Sequence, residues 1–164
     1  MRGGVYQPRS GWRDVRESFD RFGRTLRHLA ALAIIRCAGA LQLICAGVIF
    51  IAVASYHAGD PSLDNASGGV AANLFGLIGA TAADIFLQYF GFAVYGFLLP
   101  LFAWGWRALM GRSLRHASWR LAAWLVGTVL LAIGLGALPA PNWVPAGCGG
   151  IIGIFAAFQA DILG

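Results

Sequence analysis

Residues Trp106–Arg120 read WRALMGRSLRHASWR. This stretch carries Arg107, Arg112, Arg115 and Arg120 with no acidic residue, and it separates two apolar runs, Ile85–Trp106 and Leu121–Leu138. A short arginine-rich loop between apolar runs is held on the cytoplasmic side, where the membrane potential and anionic lipids favour positive charge. The four arginines are therefore topology-determining for both neighbouring runs. They set the predicted fold class: an all-α, polytopic membrane helix bundle.

The rest of the composition agrees. Of 164 residues, 59% are hydrophobic and 12% charged. Every basic residue is Arg, placed in residues 1–36 or in the 106–120 loop, whereas segments 57–84 and 139–164 carry acids only. Basic segments inside and acidic segments outside is the expected sidedness, with a cytoplasmic N-terminus. The sequence contains no Lys, so neither a nucleotide-binding G-x-x-x-x-G-K-[ST] loop nor Schiff-base chemistry is encoded in it. Cys37, Cys45 and Cys148 match no zinc or disulfide spacing. No catalytic residue, cofactor or metal site is predicted.

Residues 1–36 form a cytoplasmic arm. Within it Trp12, Val15, Phe19, Phe22, Leu26 and Leu29 recur at alternating steps of three and four, on one stripe of a helix. Glu17 with Arg21 and Asp20 with Arg24 support the helix at four-residue spacing. Arg13, Arg16, Arg24 and Arg27 leave the polar face net basic. The expectation is an amphipathic helix with its aromatics in the headgroup region and its arginines on anionic inner-leaflet lipid. The alternative is a stripe packed on the membrane domain or on a partner subunit. Ala52-Val53-Ala54 resembles a signal-peptide cleavage site, but the basic region before the apolar run is too long, so an uncleaved anchor is expected.

Residues 37–164 form the membrane domain, with spans at about 37–56, 85–106 and 121–138. The first span ends in His57–Ser67, where Pro61 and the Asp, Asn and Ser residues turn the chain. Asn65-Ala66-Ser67 is a glycosylation sequon, and Asp60, Ser62 and Asp64 resemble the start of a calcium loop that lacks its closing acid. A solvated turn accounts for both. Val70–Trp106 is too long for one crossing and must divide. The predicted division is at Asp84, giving a short interfacial or re-entrant helix at about 70–83, capped by Asn73, with Pro100 kinking the span that follows. Ala132 and Gly136, four apart in the third span, permit close helix approach. A second short helix is expected at about 149–163.

The two short helices echo one another. Gly76-x-x-Gly79 leads through Ala-rich sequence to Asp84, and Gly150-x-x-Gly153 leads through Ala156 and Ala157 to Asp161. A spanning helix follows the first copy. If the second behaves alike, a fourth span is expected to begin at about residue 162, so that span is missing from the sequence in hand.

Three stretches together resemble a known family. They are Ser55-Tyr56-His57-Ala58-Gly59-Asp60-Pro61-Ser62, then Asn73-Leu74-Phe75-Gly76-Leu77-Ile78-Gly79-Ala80 with Ala82-Ala83-Asp84, then Phe90-Gly91 with Tyr95 and Pro100. With Gly149-Gly150-Ile151-Ile152-Gly153 they are similar to the N-terminal membrane domain of the FtsK/SpoIIIE DNA translocases over about residues 30–164. The resemblance implies a four-span domain of the bacterial inner membrane that recruits division (divisome) proteins at the septum. It also implies that the domain anchors a hexameric motor pumping double-stranded DNA. The family's linker and motor have no counterpart in these residues, so no catalytic residue transfers.

Three functions compete. As an anchor and septal interaction module, the chain would make contacts through Tyr56, Asp60, Pro61, Ser62, Asn73, Gly76, Gly79 and Asp84. As a small intramembrane transporter or enzyme subunit, it would rely on Gln42, Gln88, Gln159, Asp84 and Asp161. His28, His57 and His116 lie in separate segments and suit neither a triad nor a metal. Direct DNA binding by the basic arm is the third. The arm's acids and the anionic leaflet make lipid its expected partner instead. Self-association is implied by the family alone.

Overall fold

The computed structural model describes residues 11–62, 68–112 and 117–163. Arg115, His116 and the Asn65 sequon lie outside the described residues. The described chain is an all-α membrane helix bundle of five helices: α1 (Gly11–Ala54), α2 (Gly76–Phe90), α3 (Ala93–Leu109), α4 (Ala117–Gly136) and α5 (Gly150–Leu163). Two helices, α1 and α4, are long and apolar enough to cross a membrane, and the α2–α3 pair makes a third when counted as one bent span.

The 44 residues of α1 run unbroken from the arm into the first apolar run, because no proline interrupts Gly11–Ala54 and Ala, Leu and Arg, all strong helix formers, dominate it. The helix passes residue 36 without a break. The helix ends where the Ser55 hydroxyl donates back to the Ile51 carbonyl at 2.8 Å.

The division of 70–106 differs from the sequence expectation. Asp84 lies inside α2, and the chain breaks instead at Gly91-Phe92, with a bend of 109°. Gly91 has φ 54°, a left-handed conformation that favours glycine. A carboxyl group survives inside an apolar helix here because side chains bond to it, as the next subsection describes. Asn73 does not cap α2 either: the helix starts at Gly76, and no side chain caps it. Pro100 lies within α3, which continues through it.

α3 lies antiparallel against α1. Phe50 meets Tyr95 and Phe102 edge-on near one end, with centroid separations of 5.8 and 6.3 Å. Toward the other end the backbones close in, and a Cβ on Gly39 would stand 2.6 Å from the Leu109 amide nitrogen. Small residues at a membrane helix crossing permit such an approach. Between them Gln42 donates to the Leu101 carbonyl at 3.0 Å. Ala46, Ala52, Val53, Ala83, Leu87, Val94 and Leu98 form the core shared by α1, α2 and α3. Most large apolar side chains, by contrast, face outward, including Leu41, Ile44, Leu130 and Ile154. That distribution suits a helix bundle whose solvent is lipid.

Trp124 of α4 docks on α3, its indole N–H donating to the Phe97 carbonyl at 2.9 Å. α5 then packs on α4 through small residues, Gly153 against Ala132 and Gly136, and a Cβ on Gly136 would lie 2.7 Å from the Gly153 Cα.

The echo seen in the sequence has a structural counterpart. Both short helices open on a left-handed glycine, Gly76 at φ 59° and Gly150 at φ 62°. Each of these glycines donates its N–H three residues back, to Asn73 and to Gly147, at 2.8 and 3.2 Å. Each following Gly79 or Gly153 donates four back, to Phe75 and to Gly149, at 3.3 and 3.0 Å. The break after the first unit meets the start of the second, where Phe92 N–H donates to the Cys148 carbonyl at 2.8 Å.

Candidate functional site

At the end of the bundle opposite the 106–112 arginines, most of the polar residues singled out in the sequence converge into two linked groups. The first is a knot around Asn73. Its side-chain amide donates to the Ala52 carbonyl at 2.8 Å and the Ser55 carbonyl at 3.2 Å, which ties the loop to the frayed end of α1. Its oxygen accepts the Phe75 N–H at 3.1 Å, a turn that asparagine favours. Asp60 holds the same loop from the other side, accepting the N–H groups of Ala72 and Asn73 at 2.7 and 2.9 Å. Both Asp60 and Asn73 are buried, and a buried polar group is retained only when bonded in this way. Gly79 completes the knot, since a Cβ there would overlap the Asn73 side-chain oxygen.

The second group lies on α2. Tyr56 donates to one carboxyl oxygen of Asp84 at 3.4 Å, and Gln88, one turn on, donates to the other at 3.1 Å. Burial, followed by the charge of Asp84, its hydrogen bond and then Asp60, pushes the Tyr56 phenol up to about 12. The phenol therefore stays a neutral donor at any physiological pH. A cleft of about 410 Å³ opens beside this group, lined by Tyr56, Ser62, Asp84 and Gln88 from one half of the fold and by Pro145 and Ile151 from the other.

The structure thus brings Tyr56, Asp60, Ser62, Asn73, Gly76, Gly79 and Asp84 to one end of the bundle, with half-buried Pro61 beside them. Within this set Asp60, Asn73 and Asp84 are buried and shape the surface, while Tyr56, Pro61 and Ser62 remain partly accessible. Ser55, which stands in the sequence only within a motif, and Gln88, which stands only among the transporter candidates, both bond into this junction. The four-residue step from Asp84 to Gln88 on one helix face was the available signal.

Of the polar groups weighed for transport, Asp84 and Gln88 meet in this junction and the other three lie apart from it. Gln42 is engaged with α3, while Gln159 and Asp161 are exposed on α5. His28 and His57 are separated by most of α1, and among the described residues no three His, Cys, Asp or Glu gather around a metal-sized site.

At the opposite end, Arg107 occupies the last turn of α3, where a cation complements the helix dipole. The Arg112 N–H donates to the Arg107 carbonyl at 2.9 Å, closing the turn. Arg36 of α1 reaches this turn, with its Nε 3.6 Å from where a Cβ on Gly111 would stand. Arg120 is exposed at the start of α4. Trp12, Arg13, Arg16, Phe19, Phe22, Arg24 and Arg27 are all exposed along the N-terminal part of α1.

Residues 30–164 match the family described as the 4TM region of DNA translocase FtsK/SpoIIIE. The chain is 38% identical over 146 residues to the DNA translocase FtsK of Agrobacterium fabrum, an alignment covering 87% of this chain and 16% of the relative. It is 38% identical over 129 residues to that of Rhizobium meliloti, covering 77% and 14%, respectively. It is 32% identical over 152 residues to that of Brucella suis, covering 90% and 17%. The chain thus spans less than a fifth of the length of these relatives. No solved structure matches it.

Proposed function

This chain belongs to the FtsK/SpoIIIE family of DNA translocases as its four-transmembrane region, and from that membership we propose that it anchors such a translocase in the bacterial inner membrane and targets it to the division septum. The match over residues 30–164 is the observation that carries the reading. The chain enters from the cytoplasm, crosses on α1, returns on α3 and crosses again on α4, with the arginines of 106–120 inside and the Asn73 and Asp84 groups outside. It performs no chemistry and does not contact DNA. Those tasks belong to a motor elsewhere in the whole protein, which self-associates around it.

The junction on the outer side is the surface for divisome proteins. Asp60, Asn73, Gly76, Gly79 and Asp84 fix the backbone, and Tyr56, Pro61 and Ser62 present it beside the cleft. A fluorescent fusion of residues 1–164, expressed in dividing cells, tests the proposal. Enrichment in a mid-cell band, lost in Ser62→Arg at unchanged membrane level, is the expected result. An even distribution around the whole membrane would refute septal targeting.

A further inference from the structure

We infer that the stripe Trp12–Leu29 is a parallel coiled-coil surface whose partner is a second copy of this chain. The six residues of the stripe fall on alternating steps of three and four, so Trp12, Phe19 and Leu26 take the first core position of three successive heptads, and Val15, Phe22 and Leu29 take the other. A pattern held strictly at 3.5 residues drifts around a straight helix of 3.6, and two helices keep such a seam in contact only by supercoiling around one another.

The flanks carry the same message. Positions bordering the seam are Arg16, Gly23 and Ala30 on one side and Ser18, Thr25 and Leu32 on the other. Only Arg16 among them is charged. Arg13, Glu17, Asp20, Arg21, Arg24 and Arg27 all take outer positions, so identical copies can approach in parallel with little like-charge repulsion.

The unbroken helix also argues against the membrane surface as the seat of this stripe. α1 continues without a break into its apolar half, so the stripe cannot lie flat on a leaflet while residues 37–54 cross it. Arg36 sits level with the turn at the end of α3, and the 25 residues from Gly11 to Ile35 extend roughly 37 Å beyond that level. The stripe there is uncovered: Trp12 is 84% exposed, Phe19 71% and Phe22 63%. The six side chains offer on the order of 800 Å² per copy, the area one partner contributes to a standard interface. Copies inserted in one membrane share one orientation, which makes the parallel, in-register arrangement the one available.

Disulfide cross-linking of the whole chain in membranes tests this, in a background of Cys37→Ala, Cys45→Ala and Cys148→Ala. Single cysteines replace Phe19, Phe22, Leu26 and Leu29 on the seam and Glu17, Arg24 and His28 off it. Seam positions should cross-link about tenfold more than the others, since only they bring paired Cβ atoms within disulfide reach. Adding Phe19→Glu with Phe22→Glu should abolish cross-linking at Leu26→Cys while membrane insertion and helix content stay unchanged. Equal cross-linking on and off the seam, or none, would overturn the inference. So would persistence of the cross-link in the double glutamate variant. Quenching of Trp12 fluorescence by brominated anionic lipid, taken as the difference from Trp12→Phe, would assign the stripe to the membrane surface instead.

Discussion

Asn73→Asp isolates the chemistry of the Asn73 knot without changing its shape. Asparagine and aspartate are nearly isosteric, and the oxygen that accepts the Phe75 N–H at 3.1 Å is kept. The other branch changes from a donor to an acceptor. Its two hydrogen bonds, to the Ala52 and Ser55 carbonyls at 2.8 and 3.2 Å, become two contacts between oxygens. Asn73 is only 4% exposed, so water does not replace what is lost. Each buried acceptor deprived of its donor costs about 1–3 kcal/mol, and two of them set the loss at about 3 kcal/mol. For a chain of this size a loss of that order lowers the melting temperature by roughly 6–12 °C. Thermal unfolding in detergent, followed by far-ultraviolet circular dichroism, measures it. A variant melting within about 2 °C of the parent would refute the reasoning, because the amide would then not be what ties the loop to α1.

Gly150→Ala places a Cβ 2.6 Å from the Gly91 nitrogen and in a left-handed conformation at φ 62°, and it should destabilise by about 3 kcal/mol in the same assay. Gly127→Ala, where nothing lies within 4 Å, should be neutral or raise stability by up to about 1 kcal/mol. Gln42→Leu removes the donor to the Leu101 carbonyl and should cost only about 1 kcal/mol, since lipid-embedded amide bonds are individually weak. The raised pKa of Tyr56 favours its neutral form in the fold, so this contribution to stability is full below pH 10 and is lost as the pH rises toward about 12. The phenolate absorbance missing from Tyr56→Phe should therefore appear near pH 12 rather than near 10.

The all-α bundle and its apolar helices are legible in the sequence, because long apolar runs are a local property. The recurrence of the Gly-x-x-Gly unit was legible for a related reason: a left-handed start at Gly76 and Gly150 demands glycine at both places. What the sequence hid depends on tertiary contact. Asp84 reads as a boundary because a lone carboxyl in an apolar run is costly, and only the fold reveals Tyr56, 28 residues upstream, beside it. Gly91 reads as one glycine among many until Cys148 is found against it, separated by most of two helices. Asn73 likewise reads as a helix cap, since nothing local shows that the end of α1 stands within reach of its amide.

The most direct test of the account is its sidedness. In the background of Cys37→Ala, Cys45→Ala and Cys148→Ala, single cysteines at Ala58 and Arg112 are labelled with a membrane-impermeant maleimide in spheroplasts before and after permeabilisation. Ala58→Cys should react at once and Arg112→Cys only after permeabilisation. Labelling in the reverse order, or of both positions from one side, would contradict it.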